Sequence, residues 1–196
     1  RASIPERCYV EIGVFQGLTL LSVALAAPEA NCFGIDDFSL LDPEEKNLAI
    51  VKNRIRDLGA TNARLINSDY EVALASLPEH VGNRRLGVCF IDGAHDYRSQ
   101  LMGLLLALPH LADDGVLVVD DVARNNADQA AAAYRELFLA AGGGGLGLFT
   151  AIARLRAVHQ RIAGPLEDAG LTLLAQHVDA LDTGTLVDIF RAEENA

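Results

Sequence analysis

Basic residues and long apolar runs are scarce in this sequence. Lysine and arginine together number 16 against 27 aspartates and glutamates, which gives a formal net charge of -11 at pH 7. Because the backbone of a nucleic acid requires a clustered basic face, this balance argues against a nucleic-acid partner. No apolar stretch approaches the ~20 residues of a membrane-spanning helix, so the sequence also argues against a membrane span.

The chain has only three cysteines, Cys8, Cys32 and Cys89, each in or beside an apolar strand-like run. An odd number of such residues fits buried thiols in a reducing compartment better than a disulfide framework, and it predicts a cytoplasmic protein. No secretory-signal pattern stands at the N-terminus. The chain of 196 residues suffices for one full hydrophobic core, and we expect a single domain over residues 1–196.

Short strand-like runs alternate with longer helix-like runs through most of the chain. The strand candidates are Arg7–Ile12, Asn31–Asp36, Ala63–Asn67, Leu86–Asp92 and Val116–Asp120. The helix candidates between them are about Leu18–Ala27, Pro43–Leu58, Glu71–Leu77 and Tyr97–Leu111. This alternation indicates βαβ units and a mostly parallel sheet covered on both faces.

The pattern changes after Asp121. Two further helix candidates, Ala127–Ala141 and Phe149 to about Ala163, are separated by the glycine run that begins at Gly142. Two final strand candidates, Leu171–His177 and Thr185–Arg191, are joined by a segment rich in turn residues. Together they predict a closing hairpin.

A glycine motif, EIGVFQG at residues 11–17, follows the first strand candidate. Glycines at this point let the backbone turn tightly and approach a ligand closely. The Gly-x-x-x-Gly spacing differs from the Gly-x-Gly-x-x-Gly that holds a pyrophosphate in nicotinamide and flavin enzymes. Glu11, Gly13 and Gly17 are therefore candidate residues for a cofactor without a pyrophosphate; the alternative is that the glycines only close a βα turn.

Acidic residues end the second and third strand candidates. A carboxylate at the end of the second strand can accept both hydroxyls of a ribose, the contact expected of an adenosine cofactor in this architecture. Asp36 is the first candidate for this contact and Asp37 the second. Ser68 and Asp69 follow the third strand and are candidates to touch the adenine amine; capping the next helix is the alternative.

The most specific pattern joins the ends of the fourth and fifth strand candidates. Asp92 ends one, and Asp120 and Asp121 end the other. If the two strands are neighbours, their ends lie ~4.8 Å apart and the three carboxylates converge. Carboxylates so close repel one another unless a cation neutralises them, and an all-oxygen site suits Mg²⁺. The alternative is that one or two of them cap loops in solvent.

His95 follows Asp92 by three residues and is the candidate general base. An ordinary imidazole pKa of ~6.5 lets it accept a proton near neutral pH. The alternative is an exposed loop histidine. The arginines of the late helix, Arg154, Arg156 and Arg161, are interpreted as a solvated face, with an anion site as the alternative.

From Cys8 to Arg191 the chain resembles the class I S-adenosylmethionine-dependent methyltransferases, through the glycine motif, the acidic end of the second strand and the closing hairpin. Residues 92–97 and 115–121 are similar, more narrowly, to the Mg²⁺-dependent O-methyltransferases of the macrocin and mycinamicin type, which methylate sugar hydroxyls of antibiotics. The chain shows no counterpart of their long N-terminal segment and no match for its run Gly142–Gly147, so the acceptor stays open.

This resemblance implies a Rossmann-like, doubly wound sheet of seven strands in the order 3-2-1-4-5-7-6, with the last strand antiparallel and helices on both faces. It implies S-adenosylmethionine and Mg²⁺ as cofactors and a small-molecule acceptor. Asp92, Asp120 and Asp121 are then the metal ligands and His95 the base, with Asp92 also touching the cofactor. Metal and base together would activate the acceptor hydroxyl for attack on the sulfonium methyl group.

Three other functions remain open at this point. A metal-independent methyltransferase would share the cofactor site, and a nicotinamide dehydrogenase is disfavoured by the glycine spacing. A non-catalytic ligand-binding module of the phospho-receiver kind would need an acidic pair at the end of the first strand, where this chain has Glu11, Ile12 and Gly13. The sequence also leaves open whether the chain forms a homo-oligomer.

Overall fold

The computed structural model describes residues 5–120, 127–142, 147, 149, 151–179 and 181–192. The chain divides into two compact units, Arg1–Asp120 and Asp121–Ala196, called the N-terminal and C-terminal units below. That residues 1–196 form one domain stays a prediction.

A five-stranded sheet organises the N-terminal unit. Its strands are β1 Arg7–Ile12, β2 Cys32–Ile35, β3 Ala63–Ile66, β4 Arg85–Ile91 and β5 Leu111–Val119. All pairs are parallel and the order is β3-β2-β1-β4-β5, which agrees with the first five positions of the predicted order. Strand β1 is buried from Cys8 to Ile12, as a central strand covered on both faces should be.

Helices follow each of the first four strands. They are α1 Leu18–Ala26, α2 Asn47–Asp57, α3 Tyr70–Ala75, α4 Leu77–Val81 and α5 Tyr97–Ala107, with a 3₁₀ turn at Leu108–His110. Helix α1 buries Leu20, Leu21 and Ala24, which lie three and four residues apart on one face. These side chains join Tyr9 and Val51 in one apolar cluster. Burial of each leucine stabilises the fold by about 2 kcal/mol.

Backbone pairing continues past the strand ends at the carboxyl edge of the sheet. The N–H groups of Gly13, Asp92 and Asp120 each donate to the carbonyl of the last residue of the neighbouring strand, at 2.8–2.9 Å. The winding of the sheet reverses between β1 and β4, and ligands bind at such a reversal in open α/β sheets. The loops that follow β1 and β4 therefore meet where a ligand is expected.

The C-terminal unit is helical in its described residues, with α6 Ala127–Ala141, α7 Ile152–Asp168 and α8 Thr183–Ala192. Helices α6 and α7 pack together, and Arg161 Nε of α7 donates to Asp128 Oδ1 of α6 at 2.6 Å. The Tyr134 ring lies 5.0 Å from the Phe149 ring and 5.7 Å from the Phe138 ring, centroid to centroid. Across the described parts of both units, no helix combines the length and apolarity needed to cross a membrane.

The predicted closing hairpin is wrong in the described residues. Residues 171–175 have no regular structure, and the predicted strand Thr185–Arg191 lies within helix α8. Asp182 precedes this helix and accepts hydrogen bonds from the Thr185 N–H at 3.0 Å and its hydroxyl at 2.7 Å, as a helix cap does. The β-branched composition concealed the helical spacing of Leu186 and Ile189, both half-buried.

The seven-stranded order 3-2-1-4-5-7-6 with an antiparallel last strand is therefore corrected, over the described residues, to five parallel strands. Strand β5 is also longer than the predicted Val116–Asp120. Its early part passes so close to β4 that a Cβ at Gly115 would lie 2.6 Å from the Leu86 carbonyl oxygen. The strand contains charged residues before Gly115, and these hid its true start.

Two helix boundaries shift for local reasons. Helix α2 begins at Asn47 rather than Pro43, because the Asp42 carboxylate accepts the N–H groups of Lys46 and Asn47 at 2.9 and 2.8 Å. The predicted helix Glu71–Leu77 is two helices, α3 and α4. Pro78 lacks the N–H that would bond the Leu74 carbonyl in a continuous helix, and His110 Nε2 lies 3.0 Å from that oxygen instead.

Candidate active site

The loop between β1 and α1 carries the glycine motif. Gly13 has a φ of 88° and Gly17 a φ of 81°, left-handed values that favour glycine. A Cβ at Gly13 would lie 2.1 Å from the carbonyl oxygen of Asp92, so this loop runs directly against the end of β4. The turn itself therefore requires both glycines, as the structural alternative supposed, and their contact with a cofactor stays a prediction.

Asp36, immediately after β2, holds the glycine loop in place. Its Oδ2 accepts the N–H groups of Val14 and Phe15, each at 2.8 Å, and its Oδ1 accepts the N–H of Phe38 at 2.7 Å. Phe15 has a φ of 50°, a strained value for a residue other than glycine. A carboxylate has about four acceptor positions, so Asp36 retains about one for a ribose hydroxyl without rearrangement.

Asp37 and Asp69 accept hydrogen bonds from their own loops. Asp37 Oδ1 accepts the Ser39 N–H at 2.9 Å and its hydroxyl at 2.7 Å. Asp69 Oδ1 accepts the N–H groups of Glu71 and Val72 at 2.8 and 3.2 Å, and so caps α3. The capping alternative is confirmed for Asp69. An adenine contact of Asp69 or of its half-buried neighbour Ser68 stays a prediction.

Glu11 is only 1% exposed, near the end of β1. Its carboxylate accepts a hydrogen bond from the Tyr9 hydroxyl at 2.6 Å. Burial first, and then the negative charges of Asp92 and Asp36, raise the pKa of Glu11 to about 7, against the lowering effect of hydrogen bonds from Tyr9 and the Leu20 backbone. Three carboxylates therefore share one electrostatic environment at this edge, and Glu11 already has a protein partner.

Asp92 and His95 lie together in the loop after β4. His95 Nε2 is 3.8 Å from Asp92 Oδ1, too long for a hydrogen bond but within ion-pair range, and both side chains are about one-third exposed, at 35% and 32%. The loop ends where Asp96 Oδ1 accepts the Ser99 N–H at 3.0 Å and caps α5. The predicted pair is thus brought together on an accessible loop.

Asp120 follows β5 beside Asp92. Ile91 and Val119 are register partners, so the residues that follow them stand on neighbouring strand ends, ~4.8 Å apart. The third predicted metal ligand, Asp121, lies outside the described residues. Within the described residues, no three histidine, cysteine, aspartate or glutamate side chains are grouped so that they could hold a metal ion. Asp92 and Asp120 thus follow neighbouring strand ends, and the convergence of their carboxylates on a metal ion stays a prediction.

Sequence reasoning missed several polar residues that build this edge. Gln16 Nε2 donates to Asn47 Oδ1 at 3.1 Å, and Arg54 Nη1 donates to the Gln16 carbonyl at 2.6 Å, so α2 holds the glycine loop from outside. These partners are 31 and 38 residues apart, and no local pattern reveals them. Gln100 is different, because its spacing from Gly103 and Leu104 places it on the buried face of α5.

The arginines of α7 support the structure of the C-terminal unit. Arg156 Nη2 donates to the carbonyl of His177 at 3.0 Å, and Arg161 pairs with Asp128. Both guanidinium groups therefore have partners within that unit, which leaves the anion-site alternative without support from these two residues.

Two solved structures of one protein share this fold. CalS11, a calicheamicin methyltransferase, has a TM-score of 0.57 and 16% identity over 76% of this chain and 70% of its own. Its apo form, described as a TDP-rhamnose 3'-O-methyltransferase of calicheamicin biosynthesis, has a TM-score of 0.58 and 17% identity over 76% and 69%. At such identities the likeness establishes the fold alone.

A third structure, an rRNA methylase from Streptococcus thermophilus, has a TM-score of 0.45 and 18% identity over 61% of this chain and 66% of its own, and nothing is inferred from it. No curated protein sequence matches the chain. The profile of one protein family, described as a methyltransferase domain, matches residues 10–122, from the glycine motif to the end of β5. That match covers more than half of the chain and all of the carboxyl edge described above, and the chain belongs to this family of methyltransferase domains.

Proposed function

We propose that the chain transfers the methyl group of S-adenosylmethionine to a hydroxyl group of a small molecule of the sugar or natural-product type. The observation that carries the proposal is the meeting of the glycine loop, Asp36 and Asp92 at the reversal between β1 and β4. This is where a doubly wound sheet binds its ligand. The family supplies the reaction class, and the residues of this edge supply the site.

The chemistry of the edge suits S-adenosylmethionine. Its sulfonium and amino groups are cationic, and the pKa of Glu11, which burial raises most, is raised in addition by the nearby negative charges of Asp92 and Asp36. A cation placed there relieves their mutual repulsion. Asp36 would hold the ribose through its remaining acceptor position. Gly13 has no side chain, so the cofactor could approach the backbone of the neighbouring loop closely. When bound, the cofactor supplies an electrophilic methyl group.

His95 is the proposed base for the acceptor hydroxyl. Its ring lies on an accessible loop, with Asp92 at 3.8 Å facing it as it becomes cationic. Asp92, Asp120 and Asp121 are the proposed ligands of Mg²⁺, which would lower the pKa of a bound hydroxyl. Two of these three stand on neighbouring strand ends. A sugar hydroxyl is barely acidic, so both aids would be useful.

The acceptor class rests on two weaker supports. The CalS11 structures are described as those of an enzyme that methylates TDP-rhamnose, which makes sugar hydroxyls the first class to screen. The net charge of -11 disfavours a nucleic acid as the acceptor. We infer a small-molecule acceptor, without choosing among sugars.

The first experiment is calorimetric titration of S-adenosylhomocysteine into the protein, with and without Mg²⁺. We expect a micromolar dissociation constant in both conditions. D36N should weaken this binding by about tenfold through loss of a charged hydrogen-bond acceptor. D37N is the comparison variant, because Asp37 bonds Ser39 and is the second candidate for the ribose. We expect its affinity to stay unchanged, and a tenfold loss in D37N instead of D36N would assign the ribose contact to Asp37.

Methyl transfer to a panel of glycosides, with Mg²⁺ or with a chelator, is the second arm. Activity that a chelator removes supports metal assistance, whereas activity that it leaves unchanged points to a metal-independent methyltransferase at the same cofactor site. Absence of S-adenosylhomocysteine binding in every condition would overturn the proposed function.

A further inference from the structure

We propose that Gln100 is a positioning residue for this reaction: its side-chain amide fixes the end of β5 relative to Asp92 and His95. The inference rests on the proposed function and adds a residue that does not itself meet the substrate. It follows from the burial of Gln100 and from the two elements that it joins.

Gln100 is buried where a polar side chain is rarely found. It is 1% exposed and lies in the first turns of α5, on the face that also buries Gly103. A Cβ at Gly103 would be 3.4 Å from Ile91 Cδ1, so α5 approaches β4 closely at this point. Burial of an amide is costly without hydrogen-bond partners, which requires Gln100 to have partners of its own.

One partner of Gln100 is the backbone of Asp120. Gln100 Nε2 donates to the Asp120 carbonyl oxygen at 3.0 Å, while the Asp120 N–H donates to the Ile91 carbonyl at 2.9 Å. The two peptide groups that flank the Asp120 Cα are therefore held by different elements, one by α5 and the other by β4. The φ and ψ angles of Asp120, which lie between these two peptide groups, are restricted in this way.

The other end of the link is the loop that carries His95. The Gln100 N–H donates to the Asp96 carbonyl at 3.1 Å, and the Asp96 side chain caps the same turn through Ser99. The first turn of α5 is thus rigidly joined to the residue that follows His95. Through its own backbone and side chain, Gln100 connects the His95 loop with the end of β5.

A displacement at this junction would change the distance between the groups that act on the acceptor. A misplacement of about 1 Å at reacting groups can lower a rate on the order of 100-fold. A merely structural hydrogen bond would instead affect the free energy of unfolding, with no selective effect on turnover. This difference separates the two roles by experiment.

The test replaces Gln100 with methionine, which has a similar length and cannot donate this hydrogen bond. N62L is the matched control, because Asn62 Nδ2 also donates to backbone carbonyls, those of Ala24, Ala27 and Ala30, at 3.0–3.1 Å. Asn62 precedes β3 and lies at the opposite edge of the sheet. Both variants are assayed below their unfolding midpoints, on the acceptor found by the glycoside screen.

We expect Q100M to lower kcat on the order of 100-fold and to leave the KM for S-adenosylmethionine within about twofold, since the cofactor loop is untouched. Exchange of the Asp120 amide hydrogen, followed by NMR, should become about tenfold faster in Q100M, because a freed strand end opens more often. N62L should leave both quantities unchanged. If Q100M does not fold, Q100N replaces it, because asparagine keeps the amide group on a side chain that is one methylene shorter.

Equal losses of kcat in Q100M and N62L would show general loosening of the fold and overturn the positioning role, as would an unchanged kcat in Q100M. If the wild-type protein binds no S-adenosylhomocysteine, the proposed function fails, and the positioning role falls with it. Binding together with an unaffected Q100M removes the positioning role alone.

Discussion

The two edges of the parallel sheet carry opposite kinds of side chain. At the amino edge, donors hold backbone carbonyls: Asn62 bonds three at and after the end of α1, and Arg85 bonds two that follow α5, at 2.7–2.8 Å. At the carboxyl edge, the carboxylates of Asp36, Asp69 and Asp96 accept backbone N–H groups. Most of these contacts have opposite polarity at the two edges; Gln100 and Arg54, which donate to the carbonyls of Asp120 and Gln16 at the carboxyl edge, are the exceptions.

Helix polarity explains this difference. In a parallel α/β unit, helices start near the carboxyl ends of the strands and finish near the amino ends, so orphan N–H groups collect at one edge and orphan carbonyls at the other. An acid at the carboxyl edge is therefore no evidence for catalysis by itself. Asp69 and Asp96 are accounted for by the helices that they cap. The Asp120 carboxylate, which makes no hydrogen bond within the described residues, is not accounted for in this way.

The largest expected effect is on turnover, and it distinguishes Asp120 from the helix-capping acids Asp69 and Asp96. D120N should lower kcat by at least about 100-fold, because a group on the reacting side of the edge stabilises the transition state by several kcal/mol. The unfolding midpoint and the affinity for S-adenosylhomocysteine should not change, since the hydrogen bonds of Asp120 to other described residues use its backbone and not its carboxylate. Steady-state kinetics and calorimetry check this. Undiminished turnover would place Asp120 among the structural acids.

A substitution at the amino edge should lower stability and leave turnover unchanged. N62L removes the Asn62 amide, whose two N–H groups serve three carbonyls, and should lower the free energy of unfolding by about 2 kcal/mol. Methyl transfer per folded molecule should stay at the wild-type rate. Urea denaturation and an assay at low temperature measure the two quantities, and a large loss of kcat would break the division between the edges.

Glu11 should make the free energy of unfolding depend on pH. Its folded pKa of about 7 lies above the ordinary glutamate value of 4.5, so the folded state keeps a proton that the unfolded chain releases. Stability from this group is complete below the unfolded pKa and is lost as pH rises through about 7. Between pH 5 and pH 8 we expect a loss of about 2 kcal/mol, absent in E11Q.

Denaturation of both proteins across that range tests the prediction. The difference in the free energy of unfolding between the wild type and E11Q, taken at each pH, cancels the contribution of the other titrating groups. A wild-type protein that gains stability relative to E11Q with rising pH would show that Glu11 is ionised in the folded state.

The smallest effect concerns Asp69. D69A should lower the free energy of unfolding by about 1 kcal/mol, the usual contribution of a helix cap, and leave the affinity for S-adenosylhomocysteine within about threefold. Thermal denaturation and calorimetry measure both. A fall in affinity larger than this would support the adenine contact that the sequence also predicted for Asp69.

Local patterns predicted much of the fold. The bounds of β1 and α6 agree with their predicted ranges, because continuous apolar runs and helical spacing are read within one element. Helix α8 was mistaken for a strand, since the cap from Asp182 depends on a turn whose residues resemble those of a hairpin. Composition alone does not separate the two.

The site was predictable where topology alone determines it. Asp92 and Asp120 follow neighbouring strand ends because adjacent parallel strands end side by side. The contacts of Asp36 with the glycine loop and of Gln100 with Asp120 were not predictable, because each spans at least 20 residues and ends on a backbone group, which carries no sequence signature. Which N–H a carboxylate accepts is decided by the packed loop.

The central place of β1 also has a consequence for synthesis. It precedes the other four strands of the described sheet, yet one of its edges is completed only by β4, where Cys8 pairs with Leu86. A ribosome adding ~5–20 residues per second leaves the backbone groups of that strand edge unpaired for on the order of ten seconds. Uncovered strand edges recruit other chains. A nascent chain arrested before β4 should therefore bind a holding chaperone, and one released after Ile91 should bind it far less.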